Sequence, residues 1–180
     1  TASVWYRTVA VDGTGRATTS DPIRIADGLG TDDEDAGAVA PVGILPDGTA
    51  VVVWRAGDGL LRSRTVSPRG GLGPVQTVTE RTVVQNPSDS DQVGADLVVH
   101  DGRVHLAFAD QATGDLWIVA RGRDGGWGPA RPLVEGITVQ WIRGEVYPGR
   151  GGTPVWGIVY DAGSDGGSGM NRYVELPLGG

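Results

Sequence analysis

The feature that most constrains this chain is an internal repeat of about 54 residues. Residues 41–78 align with residues 95–134. The matched positions are Asp47-Gly48 with Asp101-Gly102, Trp54 with Phe108, and GLGP at 71–74 with GWGP at 126–129. A repeat of about 40–55 residues that contains four short apolar runs is typical of a β-propeller blade. The repeat therefore predicts an all-β chain, a propeller-type array of four-stranded antiparallel blades.

Each full unit contains four β-rich runs, which we label a to d in chain order. An Asp-Gly turn of about two residues joins a to b, which is a hairpin signal. A Gly-rich turn joins c to d. The runs lie at 41–45, 50–54, 60–66 and 75–78 in one unit, and at 95–99, 104–109, 116–120 and 132–134 in the next.

The repeat continues beyond the two full units in both directions. Residues 4–11 and 21–26 match a c run and a d run, and residues 138–144, 154–161 and 171–176 match a, b and c. We predict one domain over 1–180, with roughly 13 strands or about three and a quarter blades. Its parts are a partial unit at 1–28, full units at 38–78 and 95–134, and a partial unit at 138–180.

An incomplete ring leaves strand edges and blade faces uncovered, which natural proteins avoid. The sequence therefore predicts that the chain joins a second copy or a complementary propeller fragment. A self-closing domain of four blades is the alternative, and it requires a different assignment of the terminal runs.

Composition excludes several classes of function. The chain has no cysteine, which removes disulfides and thiolate chemistry, and its net charge of −7 opposes a nucleic-acid partner. Its longest apolar runs are far too short for a membrane span. All basic residues are arginine, which indicates a GC-rich gene of the actinobacterial kind. We expect a secreted protein, although cytosolic residence stays open.

Acidic residues concentrate in the d–a and b–c loops, which share one face of a propeller. This acidic face predicts recognition of a protein or a glycan, and a merely solubilising surface is the alternative. The candidate ligand-binding acids are Asp32, Asp33, Glu34, Asp35, Asp58, Asp110, Asp115, Asp161 and Asp165.

Two of these loops contain paired carboxylates at short spacing. They are DQATGD, with Asp110 and Asp115, and DAGSD, with Asp161 and Asp165. Flexible loops of this kind supply oxygen ligands to calcium, the one cofactor that we consider. Neither loop follows the twelve-residue calcium pattern, and hydrogen-bonded Asx turns are the more common explanation of such pairs.

The c–d turn at 123–127, RDGGW, contains Trp127, which we expect to be exposed and able to stack on a sugar ring. This turn resembles a degenerate Asp-box of the sialidase-type and lectin-type propellers, whose pattern is Ser/Thr-x-Asp-x-Gly-x-x-Trp. Gly122 stands where the pattern has Ser or Thr, and Trp127 comes early. The resemblance implies the propeller fold, and in that family the box is structural.

The same resemblance implies what a sialidase would need: three convergent arginines, a Tyr–Glu nucleophile pair and an acidic Asp. We cannot assemble this set from the sequence, so no catalytic residue is assigned. The leading hypothesis is non-catalytic binding of a glycan or of a protein, for example an extracellular protease. A glycoside hydrolase with paired carboxylates is the alternative, with Asp96, Glu145 and Asp161 as conceivable members.

Overall fold

The computed structural model describes residues 3–27, 40–84, 94–162 and 170–179. These residues form fifteen β-strands and one three-residue 3-10 helix, Arg150–Gly152. No helix within them is long and apolar enough to cross a membrane. The strands are β1 (Ser3–Tyr6), β2 (Val9–Val11), β3 (Ala17–Thr19), β4 (Ile23–Asp27), β5 (Val42–Ile44), β6 (Ala50–Arg55), β7 (Leu60–Val66), β8 (Gln76–Thr82), β9 (Ala95–His100), β10 (Arg103–Ala109), β11 (Leu116–Arg121), β12 (Arg131–Val134), β13 (Val139–Pro148), β14 (Pro154–Ala162) and β15 (Met170–Pro177).

All strand pairs are antiparallel, and each sheet follows the order of the chain. The second sheet contains β5 to β8, the third contains β9 to β12, and the fourth contains β13 to β15. The first unit consists of two pairs, β1 with β4 and β2 with β3. The predicted all-β class with four-stranded antiparallel sheets is thus confirmed. The sheets that the structure describes do not close into a ring.

The first unit has four strands where the sequence predicted two. The run at 4–11 divides into β1 and β2, β4 matches the predicted d run at 21–26, and β3 lies before that run in a stretch for which no strand was predicted. In the second and third sheets, the outer half of the same hairpin is reduced to single bridges, Val66 with Leu72 and Arg121 with Trp127. In each of these three units, strands c and d therefore pair in two places, once far from the c–d turn and once directly beside it.

The three c–d turns, at 12–16, 67–71 and 122–126, have the same backbone hydrogen bonds and equal spacing. In each, the N–H of the first residue donates to the carbonyl of the fifth, and the N–H of the fourth donates back to the carbonyl of the first. The fourth residue is Gly15, Gly70 or Gly125, with φ of 84°, 82° and 87°. This left-handed conformation is one that glycine adopts without steric cost. The three turns therefore share one backbone conformation although their sequences differ.

A side-chain oxygen accepts the N–H of the fifth residue in each of these turns. The N–H of Arg16 donates to Asp12 at 3.0 Å, that of Gly71 donates to Ser67 at 2.9 Å, and that of Gly126 donates to Asp124 at 3.1 Å. The oxygen comes from the first turn residue in two cases and from the third in the other. Asp124 thus supplies what Gly122 lacks, so the turn forms without the Ser or Thr of the Asp-box pattern.

The a–b turns differ from each other although their sequences align. Asp101 and Gly102 both have positive φ, 48° and 71°, as a two-residue hairpin turn of type I′ requires. At residues 45–49 the N–H of Leu45 instead donates to Thr49, and only Gly48 is left-handed. The prediction of a two-residue turn is wrong at Asp47-Gly48, because the residues after Leu45 form the longer turn with a glycine bulge.

Apolar side chains are buried between successive sheets in three clusters. One lies between the first unit and the second sheet, one between the second and third sheets, and one between the third and fourth sheets. Their largest fully buried members are Ile25, Leu61, Leu106, Phe108, Leu116, Ile142, Trp156 and Ile158. The sheets therefore stack face to face in chain order.

The first strands of these sheets lie side by side. A Cβ on Gly43 of β5 would come within 2.7 Å of Leu97 and Val99 of β9, so the two strands approach closely. On the other side of β9, the Asp96 carboxylate accepts a 2.7 Å hydrogen bond from the N–H of Gly144 on β13. This arrangement leaves the outward face of the fourth sheet as one end of the stack.

Candidate binding site on the fourth sheet

The outward face of the fourth sheet departs from the apolar pattern of the sheets before it. The second sheet presents Val51, Val53 and Leu61 to its successor, and the third presents Ala107, Ala109 and Leu116. Along β13 and β15, residues alternate between the buried cluster and the opposite face. That opposite face is polar, and we call it the tyrosine–glutamate face, defined by Arg143, Glu145, Tyr147, Tyr173 and Glu175.

Gly157 forms the floor of this face. On β14 it pairs with Glu145 on one side and with Glu175 on the other. A Cβ at Gly157 would lie 2.6 Å from Cε1 of Tyr147 and 2.7 Å from the hydroxyl oxygen of Tyr173. The two rings therefore lie across the strand in space that any side chain would fill. The resulting open cavity has a volume of about 380 Å³.

The Glu175 carboxylate joins the two rings. Oε1 accepts hydrogen bonds from the hydroxyls of Tyr147, at 2.6 Å, and Tyr173, at 3.1 Å, and these hydroxyls contact each other. The bonds from Tyr147 and Tyr173 hold the pKa of Glu175 below its ordinary value. Conversely, the bond to Glu175 raises the pKa of Tyr147 well above that of free tyrosine. At neutral pH the cluster therefore contains a protonated Tyr147 and an ionised Glu175.

Arg143 and Val159 complete the cavity lining. Arg143 is exposed and its Nη1 donates to the carbonyl of Ile142, while Val159 is 36% exposed. Among the described residues, Arg143 is the one arginine that lines this cavity. The site thus offers two aromatic rings, carboxylates and one cation around an apolar floor.

Among the described carboxyl groups, Asp96 is the one whose pKa is raised. Burial disfavours its charge, and this effect outweighs the hydrogen bonds from Gly144 and Leu97. Both oxygens are used inside the protein, because Oδ1 accepts from Leu97 at 2.9 Å and Oδ2 accepts from Gly144. Asp96 therefore links β9 to β13 and does not line the cavity.

The predicted acidic loop face is partly described. Asp58 pairs with Arg62 at 2.7 Å. Asp110 is buried, accepts from both the N–H and the hydroxyl of Thr113, and pairs with Arg81 at 3.3 Å. Asp115 accepts a 2.8 Å bond from Gly136. Each of these three carboxylates is thus bound within the protein, which agrees with the alternative that such residues stabilise turns.

The structure does not test the remaining part of the predicted acidic face. Asp161 is half-buried, and its Oδ1 has no hydrogen-bond partner among the described residues. The predicted residues Asp32, Asp33, Glu34, Asp35 and Asp165 lie outside the part of the chain that the structure describes. Within that part, no group of three or more His, Asp or Glu side chains could hold a metal ion. Calcium binding remains a prediction from sequence.

Trp127 is not exposed as expected. It is half-buried against the cluster between the second and third sheets, and its Nε1 donates to the buried Ser63 Oγ at 2.8 Å. Gln76 of the second sheet likewise donates to the carbonyl of Gly125. The c–d turn of the third sheet therefore docks on the second, and this contact uses the indole that was expected to face a ligand.

The residues that sequence reasoning missed are Tyr147, Gly157 and Glu175. A signal for them was present in β15, where Tyr173 and Glu175 alternate with Val174 and Leu176. Such alternation indicates a strand with one polar face. The equivalent strand β11 instead places apolar Leu116 and Ile118 on its outward side.

The fold resembles that of known sialidases. A point mutant of the NanB sialidase from Streptococcus pneumoniae matches with a TM-score of 0.57 and 13% identity over 90% of this chain and 27% of that one. A leech intramolecular trans-sialidase complexed with 2,7-anhydro-Neu5Ac matches with 0.59 and 12%, over 90% and 27%. The intramolecular trans-sialidase from Ruminococcus gnavus, in complex with oseltamivir carboxylate, matches with 0.54 and 14%, over 93% and 36%.

These likenesses define the class of fold, which is sialidase-like and all-β. No protein-family model and no curated protein matches the chain. The chain spans 27% to 36% of the length of the three structures.

Substitution of Gly157 tests the geometry of this site. In Gly157→Ala the new methyl group would displace the Tyr147 and Tyr173 rings, so Glu175 would lose its donors. We expect the pKa of Glu175 to rise toward its ordinary value, measured by NMR titration of the side-chain carboxyl carbon. Gly13→Ala, at a glycine whose Cβ would meet nothing within 4 Å, is the matched control and should leave that pKa unchanged. An unchanged pKa in Gly157→Ala would contradict this geometry.

Proposed function

We propose that this protein is a non-catalytic carbohydrate-binding module of the sialidase-like fold class, secreted, and part of a propeller. It binds a saccharide on the tyrosine–glutamate face. The observation that carries the proposal is the pair of tyrosine rings lying across Gly157 with Glu175 between their hydroxyls. The sialidase-like fold supports a glycan over a protein such as an extracellular protease as the ligand.

The chemistry of the face matches that of a sugar ring. A saccharide has an apolar side of C–H groups and a rim of hydroxyls, so a suitable site combines aromatic surface with fixed polar groups. Tyr173 is 52% exposed and offers its ring. Glu145 and Glu175 offer acceptors for sugar hydroxyls, and hydrogen bonds to charged groups contribute about 1.5–3 kcal/mol.

The arginines of the cavity argue against a sialidase mechanism. The Tyr–Glu pair is itself what the sialidase resemblance implies for the nucleophile, because a hydrogen-bonded carboxylate can act as the general base of a tyrosine. The resemblance also implies three convergent arginines, whereas Arg143 is the one arginine among the described residues that lines this cavity. The arginine count therefore favours binding.

A glycoside hydrolase remains the second candidate because two carboxylates flank the cavity floor. Glu145 and Glu175 pair with opposite sides of Gly157, so their backbones are two strand spacings apart, about 10 Å. Hydrolases that invert the anomeric centre separate their carboxyl groups by about 6.5–9.5 Å. Side chains that lean over Gly157 would reach this range.

Binding and hydrolysis are separated by one set of variants. We expect a glycan array to identify a saccharide ligand, and Tyr173→Ala and Glu175→Gln to weaken its affinity at least tenfold, about 1.4 kcal/mol. Val42→Ala is the control, because Val42 is an apolar residue of the second sheet that is 49% exposed and lies outside both this face and the first unit. Equal affinity in all variants would refute the site. Turnover of aryl glycosides that Glu145→Gln or Glu175→Gln abolishes would establish a hydrolase instead.

We also propose that the protein joins a second copy or a complementary propeller fragment through its first unit. Trp5 and Trp117 both follow a break in strand register, so they occupy equivalent positions. Trp117 is covered by Arg81 of the preceding sheet, 3.4 Å from the ring centroid, whereas Trp5 contacts Arg24 of its own unit and stays 54% exposed. Val9 and Val11 of the same unit are exposed as well. A preceding sheet would cover this apolar surface.

Sedimentation equilibrium of the native protein measures this association. We expect a mass above the 18.7 kDa of this chain, and intact-mass analysis identifies the companion. A monodisperse particle of 18.7 kDa at all concentrations would contradict the proposal.

A further inference from the structure

Arg121 breaks the repeat at a buried position. The cross-strand pair that begins each c–d turn is Val11 with Ala17 in the first unit and Val66 with Leu72 in the second sheet. In the third sheet, the same place is taken by Arg121 with Trp127. Val66 is 1% exposed and Arg121 is 9% exposed. A cation therefore lies where the equivalent sheet places a buried valine.

The guanidinium of Arg121 forms no salt bridge among the described residues. Its Nε is buried and makes no hydrogen bond there. Burial lowers the pKa of Arg121, and the nearby charge of Asp124, whose Oδ1 accepts the N–H of Gly126, opposes this effect only in part. An arginine stays charged in proteins, and a buried charge without a partner is destabilising.

A cavity of about 490 Å³ opens beside Arg121. Arg103, Arg123 and Trp127 line it together with the turn at 122–126, and Arg123 is held by the exposed Asp101. A Cβ at Gly125 would come within 3.0 Å of Nη2 of Arg121, so the left-handed glycine also leaves room for the guanidinium. With Asp101, which pairs with Arg123, and the lining Asp124, two carboxylates stand against three arginines, so the cavity keeps a net positive charge within an acidic protein.

We propose that this cavity is an oxyanion-binding site in which Arg121 pairs with a sulfate or carboxylate group. A planar guanidinium matches two oxygens of such a group. Nε is the nitrogen of Arg121 that is buried without a partner, so the two Nη atoms are the donors that face an anion in the cavity. The site is formed by β11 and its c–d turn, and it shares no residue with the tyrosine–glutamate face. An acidic saccharide and an inorganic anion both carry this chemistry.

NMR titration of arginine side chains tests the proposal on the native protein. The buried Nε–H of Arg121 gives its own correlation, which we follow on addition of sodium sulfate, glucuronate or neutral glucose at constant ionic strength. We expect saturable shifts with sulfate or glucuronate and none with glucose. Tighter binding of glucuronate would identify the carboxylate of an acidic saccharide as the natural ligand. Tighter binding of sulfate would identify inorganic sulfate or a sulfated molecule as that ligand. Absence of a saturable response to both anions would overturn the proposal.

Two variants separate binding from a structural role. Arg121→Met should abolish saturable anion binding, followed by the indole Nε1–H correlation of Trp127, which lines the cavity. Its Tm without anion is not lowered, because Val66 shows that this position accepts an apolar residue. Arg69→Met is the matched control, since Arg69 is an exposed arginine of the equivalent turn in the second sheet, and it should keep the full response. Saturable anion binding that survives in Arg121→Met, or is lost equally in Arg69→Met, would contradict the assignment.

Discussion

The burial of apolar side chains between successive sheets is the interaction on which the rest of this structure depends. A sheet of three or four strands has two faces. Each face that is buried here is covered by the unit next to it in the chain. Burying one Val, Leu or Phe side chain contributes about 1.5–3 kcal/mol. The hydrogen bond from Trp127 to Ser63 that accompanies this packing contributes only about 0.5–1.5 kcal/mol. Packing therefore supplies most of the stability, and the polar contacts fix the register between sheets.

This constraint also explains where function can appear. An outward position in the second or third sheet must be apolar, because the next sheet covers it. No described sheet covers the outward side of the fourth sheet, and there Tyr147, Tyr173 and Glu175 replace the apolar residues. Arg121 is a second exception to the apolar pattern, at a turn that lies beside a cavity. Both candidate sites are thus departures from a repeat whose other positions are fixed by packing.

The sequence predicts strands well where alternation is strong. The b and c runs of both full units match β6, β7, β10 and β11 to within one residue at each end. The prediction is weaker where structure depends on distant groups. Ser63 lies far from Trp127 in the chain, and nothing near the turn indicates that its indole is used there. Gly157 likewise acquires its role only when β13 and β15 place tyrosines on both sides of it.

The central claim is that the tyrosine–glutamate face is open to ligand in the intact protein. Photochemically induced nuclear polarisation tests it directly, because the dye reaches only tyrosine rings at the surface. The account predicts a polarised signal from Tyr173, which a bound saccharide suppresses, and none from Tyr160, which is 4% exposed. A native protein in which Tyr173 is as silent as Tyr160 would show that another sheet covers this face, and would contradict the account.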